Sequence, residues 1–383
     1  MKPRHKTHNT KYSNYKTPSG GGGGGGARVP GRYDEISLAE EATWLHFPAL
    51  LFPQQVWDGE AQRVVEVERP WYEYRSHFSR SFGFLVCTAG AYKDKPCWPC
   101  AFRAQHSDAG GDWESAPYGN SRRFALSATI CEPVYNAPIV DRKGEKVRNR
   151  KTNAISTRWA PMSHVHHSID LNSCEVKFGK NVHMSLSANH LDQFRIIADK
   201  CGDFCRGCAS PLAARTYSCS ACDAGNQPTA QISGGELDAF RASRRHKCTN
   251  CGAQNTEEEC VLWPETYCEN PKCGIENPQG DISDFELLLR KAPVGDNNNW
   301  NIDFAKVRLK GASPELENVD YLLAFEDLMQ NPLDVKEIFS SYTLKDQEYR
   351  IPRDKRVGLD ATYGAKVREE DSNADEDTDD IPY

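Results

Sequence analysis

The chain has 383 residues, of which 38% are hydrophobic and 26% are charged, and its net charge is −7. This composition excludes a wholly disordered or fibrous chain and predicts a sizeable hydrophobic core. It also excludes a globally basic nucleic-acid binder, so any nucleic-acid site must be a local surface.

The N-terminal region and the cysteine content together predict the compartment. No apolar run approaches the roughly 20 residues that span a bilayer, and the lysine-rich start lacks the apolar core of a secretory signal. We therefore expect an intracellular, cytoplasmic protein without a membrane partner. Fifteen cysteines, many in CxxC pairs, then favour zinc thiolates over disulfides.

Residues 1–32 are predicted to form a disordered basic arm with a glycine linker. They carry seven Lys or Arg and no Asp or Glu, and Gly20 to Gly26 offer no side chain that could pack. Such an arm would add a mobile, salt-sensitive contact to nucleic acid.

The core is predicted to be mainly β with some α. Short runs rich in β-branched and aromatic residues, bounded by Gly, Pro or Asn, occur at 64–68, 81–88, 122–130, 165–171, 182–186, 285–289 and 300–309. Helical spacing predicts helices over 34–46, 189–201 and 315–329, the second with Leu191, Phe194 and Ile197 on one apolar face. We expect an oligonucleotide-binding (OB-like) barrel in 33–200 and the remainder of this core, with a helix, in 281–360.

The aromatic and basic segment 69–82 is the first candidate DNA-binding surface. In an extended chain Trp71, Arg75 and His77 share one side, while Tyr72 and Tyr74 lie on the other. We expect the second side to close the core and the first to stack bases and bind phosphate. The candidate DNA-binding residues of the core are Trp71, Arg75, His77, Arg80 and Arg122.

Cys97 and Cys100 form a CxxC pair that can belong to a third zinc site. Cys87, His106 and Cys131 are nearby in sequence and are possible further ligands. A redox dithiol is the alternative, because the pair encloses a proline, but a clear βαβ pattern around it is missing.

A basic loop between residues 141 and 151 is the second candidate DNA-binding surface. It surrounds a glycine turn and resembles a hairpin wing beside a groove, although an ordinary solvated loop has the same composition. Its basic residues are Arg142, Lys143, Lys146, Arg148, Arg150 and Lys151.

Residues 201–280 are predicted to form a zinc-ribbon insertion. The first expected site uses the two CxxC pairs Cys205, Cys208, Cys219 and Cys222, and the second uses Cys248, Cys251, Cys268 and Cys273, with Cys260 as a possible substitute. Four thiolates leave no coordination position open for water, so both Zn²⁺ ions should be structural.

The C-terminal segment 361–383 is predicted to be a disordered acidic tail with an apolar tip. It ends in the candidate partner-binding residues Asp379, Asp380, Ile381, Pro382 and Tyr383. This ending resembles the tip of bacterial and phage single-stranded DNA-binding proteins, Asp-Asp-Ile-Pro-Phe, with Tyr383 in place of Phe. The resemblance implies binding of single-stranded DNA and recruitment of replication, recombination or repair proteins through the tail. A merely solubilising acidic tail is the alternative.

Together these features predict a single-stranded DNA-binding protein that is not an enzyme. We expect it to be encoded by a phage. Phosphate-binding loops, nucleophile elbows and zinc-protease or deaminase motifs do not occur in the sequence. The alternatives are a zinc-ribbon transcription or RNA-polymerase-associated factor, or a zinc-containing recombination or primase-type enzyme.

Overall fold

The computed structural model describes 4–5, 35–58, 63–79, 83–89, 96–111, 118–141, 144–148, 152–212, 216–217, 221, 229–231, 245–247, 251–256, 261–262, 268, 270–276, 278–294, 300–348, 351, 353–357, 359 and 361. The rest of the predicted arm and the tail from 362 onward lie outside these residues. So do several candidate site residues, namely Arg80, Arg142, Lys143, Arg150, Lys151, Cys219, Cys222 and Cys248.

The described residues are mainly β with some α, as predicted. The strands are β1 Arg4–His5, β2 Thr43–His46, β3 Leu50–Asp58, β4 Arg63–Arg69, β5 Tyr72–Ser79, β6 Gly83–Val86, β7 Gly119–Pro138, β8 Thr157–Pro161, β9 Val176–Leu186, β10 Thr216–Tyr217, β11 Thr229–Gln231, β12 Arg245–Lys247, β13 Gln254–Thr256, β14 Val261–Leu262, β15 Phe285–Pro293 and β16 Trp300–Leu309. The helices are α1 Trp98–Asp108, α2 Ala188–Lys200, α3 Val319–Gln330, α4 Val335–Ser340, α5 Leu344–Glu348 and α6 Arg353–Arg356, with 3-10 turns at Met162–His164, Leu171–Ser173, Cys201–Asp203, Ile282–Asp284 and Pro314–Glu317.

One antiparallel sheet of eight strands organises the molecule, in the order β16-β15-β2-β7-β5-β6, with β8 and β9 also paired to β7. The 20-residue strand β7 is its axis, because β5, β2 and β8 pair with successive parts of β7 while β9 pairs along its opposite edge. A register shift between Ile130 and Pro133 interrupts the β7–β9 ladder. Within the described part of the chain β16 and β6 do not pair, so this sheet is open.

Strands on both sides of the cysteine-rich segment, residues 201–280, contribute to this sheet. Strand β15 follows that segment and pairs with β2, with Leu287 opposite Leu45. The main hydrophobic core lies on this part of the sheet and includes Leu45, Phe124, Phe194 and Phe285, each at most 1% exposed. Helix α2 covers it with Leu191, Phe194 and Ile197, the three residues that the helical spacing predicted.

Several sequence-based predictions of secondary structure differ from the structure; among them, the strand predicted over 165–171 does not form, and Leu171–Ser173 is a 3-10 turn. The helix predicted over 34–46 does not form, and Thr43–His46 is instead strand β2. In this strand Leu45 is fully buried in the core, where it pairs with Ile130 of β7. Helix α2 is capped by the Ser187 side chain, two residues before the predicted start at Asn189.

Candidate metal centres and basic surface

Four side chains converge on one point between β5, β6 and α1, and we call His77, Cys87, Cys97 and Cys100 the first centre. Their ligand atoms all lie within 4.8 Å of one another. The Sγ atom of Cys87 is 3.8 Å from that of Cys97 and 3.7 Å from that of Cys100. His77 Nε2 is 3.6 Å from Cys97 Sγ and 3.5 Å from Cys100 Sγ.

Local structure explains how residues so far apart in sequence meet. His77 lies on β5, and Cys87 follows directly after β6, its hairpin partner, where the Cys87 amide donates to the Arg75 carbonyl at 2.9 Å. Cys97 is the N-cap of α1 and Cys100 lies in the first turn, with Pro99 at a position where helices tolerate proline. The hairpin thus supplies two ligands and the helix start supplies the other two.

The electrostatics of the first centre suit a metal cation. Burial by itself lowers the pKa of His77, but electrostatic attraction to Cys97 and Cys100, together with hydrogen bonds to both sulfurs, outweighs burial and raises that pKa to about 9. Burial opposes ionisation of Cys97 as well, yet hydrogen bonds from the Cys100 and Cys87 thiols and the charge of His77 bring its pKa well below the ordinary value. A buried cluster that attracts positive charge and offers one nitrogen and three sulfurs can hold a metal ion.

Four cysteines form the second centre, Cys205, Cys208, Cys268 and Cys273, again with ligand atoms within 4.8 Å of one another. Cys205 Sγ is 3.7 Å from Cys273 Sγ, and Cys208 Sγ is 3.7 Å from Cys268 Sγ. Burial opposes ionisation of Cys208, but hydrogen bonds from Ser210 and the neighbouring thiols lower its pKa to about 6.

Tight turns shape both halves of the second centre. The Gly207 amide donates to Cys205 Sγ at 3.4 Å, and a side chain at Gly207 would meet Cys273 Sγ at 3.0 Å. The partner turn ends at Gly274, whose φ of 56° favours glycine. Cys205 also pairs with Gln279, and the Gly280 amide donates to the Phe204 carbonyl at 2.9 Å, so the site is tied to the core through Phe204 and Phe285.

The ligand sets differ from those predicted by sequence spacing. The knuckle of Cys205 and Cys208 meets Cys268 and Cys273, which the spacing assigned to a second site, because Cys205 pairs with Gln279 and the Arg206 amide donates to the Pro278 carbonyl, which brings the end of the cysteine-rich segment (residues 201–280) back to its beginning. Cys219, Cys222 and Cys248 lie outside the described residues. Cys251 is exposed and outside both centres.

The pair Cys97 and Cys100 does belong to a cluster, but two of its predicted additional ligands do not. Cys131 is buried in another apolar cluster, and His106 packs beside Gly111 at the other end of α1. His77, which the sequence suggested as a DNA contact, completes the set instead. Nothing in local spacing identifies His77, because its approach to Cys87 depends on the β5–β6 hairpin register. The CxxC pair opens a helix, as a redox dithiol would, but the convergence of four ligands favours a metal site.

The structure reassigns the predicted DNA-binding residues of segment 69–82. Trp71 is fully buried in the main core, and Gln54 Nε2 donates a hydrogen bond to its carbonyl at 2.7 Å. Arg122 lies on β7 directly opposite Arg75 of β5, and it donates a hydrogen bond to the Glu73 carboxylate at 2.8 Å. The prediction that Trp71 and His77 contact DNA is therefore wrong. Trp71 is a core residue and His77 is a candidate metal ligand, because both side chains point inward where they were expected to point outward. The exposed aromatic of β5 is Phe78, at 45%.

The described part of the predicted basic loop forms a hairpin, and we call residues 139–156 the basic wing. Val140 pairs with Lys146 around a turn in which Gly144 has a φ of 81°, and Arg148 then pairs with Ile155 farther along the chain. The side chains of Lys146 and Arg148 are exposed. At its tip a side chain on Gly144 would lie 3.9 Å from the ring of the half-buried His166, so His166 and the exposed His167, whose ring is tilted by 32° against it, border the wing.

A cation and an aromatic ring lie on the adjacent strands. Lys177 Nζ of β9 is 4.6 Å from the centre of the half-buried Trp159 ring of β8. Both residues lie opposite the end of β7, from which the basic wing continues, since Trp159 pairs with Asn136 and Lys177 with Val134. This arrangement places positive charge and an aromatic surface at one end of the sheet.

No helix among the described residues is long and apolar enough to cross a membrane. Comparisons of the chain with protein-family models, with curated proteins and with solved structures found no match, so its function has to be inferred from its own residues.

Proposed function

We propose that the chain is a single-stranded DNA-binding protein, not an enzyme, stabilised by structural Zn²⁺. The observation that carries the proposal is the basic wing, an exposed hairpin with Lys146 and Arg148 beside His166, which continues directly from the longest strand of the sheet. A protein with an overall charge of −7 needs such a local cationic surface to bind a phosphate backbone.

Two further features support this function. Trp159 and Lys177 offer a ring and a charge next to the wing, the combination that binds bases and phosphates of single strands. The acidic tail and its Asp-Asp-Ile-Pro-Tyr end resemble the partner-binding tip of single-stranded DNA-binding proteins, and in this proposal the tail competes with DNA for the wing until DNA displaces it. A long central strand that pairs on both edges is compatible with an OB-like core.

The proposed metal is zinc at both centres. Sets of four thiolates or of three thiolates and one imidazole are typical of structural zinc sites, and they leave no position for a reacting water. Purified protein should contain at least two zinc ions per chain. The pairs Cys219–Cys222 and Cys248–Cys251 keep CxxC spacing, so a content near three would indicate that they bind a further ion.

A fluorescence titration with poly-dT and with duplex DNA of equal length tests the DNA-binding function. We expect tighter binding to the single strand, and weaker binding as salt increases. Neutralising both Lys146 and Arg148 to glutamine should reduce the slope of log affinity against log salt by up to about 1.4, since each phosphate contact on a single strand contributes about 0.7.

Lys355→Gln is the matched control, because Lys355 is an exposed cation on α6, outside the wing. It should leave both affinity and salt slope unchanged. Equal losses in the control and in the wing variant would refute a specific role of the wing. A preference for duplex DNA would instead favour the transcription-factor alternative.

A further inference from the structure

The C-terminal segment, defined here as residues 344–361, packs directly on the first centre. It contains α5 and α6, and it is the last part of the described chain before the acidic tail. Its buried Ile351 and Ala361 share an apolar cluster with residues of β6 and α1, the two elements next to the ligands. The buried members of this cluster are Leu85, Trp98, Tyr118, Ile351 and Ala361.

Gln347 connects this segment to the centre. Its side chain is buried, with the residue only 1% exposed, and its Nε2 donates to the Val86 carbonyl at 2.8 Å and to Cys97 Sγ at 3.3 Å. Its Oε1 accepts from the Trp98 amide at 2.9 Å. One amide side chain thus contacts a ligand sulfur, the strand end that precedes Cys87, and the first turn of α1.

Further contacts fasten both ends of the segment. At its end, the Ala361 carbonyl accepts from the amide of the ligand Cys97 at 3.0 Å. Glu348 accepts from Trp98 Nε1 at 3.2 Å and pairs with Arg356 at 3.0 Å, and the Arg356 guanidinium lies 5.2 Å from the centre of the Trp98 ring. The segment is therefore held mainly by Cys97 and Trp98, the residues that begin the metal-binding helix.

We propose that a metal ion at the first centre fixes the C-terminal segment in place, with Gln347 as the positioning residue, so that the acidic tail starts from a fixed point beside the centre. A metal ion holds Cys97 as a thiolate, which accepts the Gln347 hydrogen bond, and it holds Cys87 and the helix start at the spacing that Gln347 bridges. Coupling of this kind is reciprocal, so the segment in turn raises the metal affinity of the centre. The inference depends on metal binding at the first centre but not on DNA binding.

Metal affinity of the full-length chain provides the first test, with Co²⁺ as the spectroscopic probe. Subtracting a titration of Cys100→Ser isolates the signal of the first centre. Gln347→Leu should lower its affinity about 10-fold or more, as loss of an outer-shell partner does elsewhere. It should also shift the thiolate-to-cobalt charge-transfer band to lower energy, because the sulfur loses a hydrogen-bond donor. Gln330→Leu, a change at an exposed glutamine of α3, should do neither.

Hydrogen exchange of the full-length chain provides the second test. Chelation should increase exchange in 344–361 well before exchange increases in β7 and β9, and returning zinc should reverse it. Cys208→Ser, which disrupts the second centre, should leave 344–361 protected. Unchanged affinity in Gln347→Leu, or exchange that rises equally throughout the main sheet, would overturn the coupling. A wild-type chain that takes up no metal at the first centre would overturn the metal site itself.

Discussion

Replacing Trp71 by alanine distinguishes the structure from the sequence-based prediction most clearly. Trp71 has no exposed surface and belongs to the main core. With roughly 200 Å² of side-chain surface at about 25 cal/mol per Å², its burial contributes about 5 kcal/mol. Large aromatic-to-alanine changes in cores lower the free energy of unfolding by roughly 3–5 kcal/mol. We therefore expect Trp71→Ala to lose that amount while folded protein keeps its affinity for single-stranded DNA.

Urea unfolding under saturating zinc measures the loss, with poly-dT titration of the same samples. Phe78→Ala is the control, because Phe78 lies on β5 as well but is 45% exposed and packs only in part on Phe84, at 4.8 Å between ring centres. It should lower the free energy of unfolding by about 2 kcal/mol, less than Trp71→Ala does. If Trp71→Ala kept its unfolding free energy within about 1 kcal/mol of the wild type and instead lost DNA affinity, the burial argument would be refuted.

Ligand pairing, tail function and acid stability give further expected outcomes. Cys273→Ser should weaken metal binding at the second centre roughly 100-fold, as one quarter of a typical structural-zinc binding energy implies, whereas Cys222→Ser should not affect that centre; competition with a chromophoric chelator measures both. Tyr383→Ala should abolish pull-down of replication and repair proteins while preserving DNA affinity, because every charge remains; identical partner sets would leave only a solubilising tail. Burial lowers the pKa of His46 to about 4, although its hydrogen bond to the Phe285 carbonyl acts in the opposite direction. As the pH falls from about 6.5 to 4, the unfolded chain binds a proton at His46 that the folded chain excludes. The free energy of unfolding should therefore decrease over this range. The wild type should lose up to about 3 kcal/mol more than His46→Gln over this window in urea unfolding, and parallel profiles would contradict it.

Local patterns in the sequence were sufficient for several elements. The apolar spacing of Leu191, Phe194 and Ile197 predicted α2, because a helix repeats its buried side every three to four residues whatever surrounds it. The pairs Cys97–Cys100 and Cys205–Cys208 were recognisable as candidate ligands for the same reason, since the turn that brings both sulfurs together is contained in four residues.

Only the tertiary structure decided which pairs join and which side of a strand is buried. Alternation along 69–82 separates two sides but does not say that both are covered: Tyr74 is buried in one apolar cluster, as expected of its side, and Trp71 is buried in another, where a DNA contact was expected. His77 and Cys87 meet through a hairpin register, and Cys205 meets Cys273 because the end of the cysteine-rich segment returns to its beginning. These contacts join residues distant in sequence, and their geometry depends on strand pairing across the whole core, which no local spacing encodes.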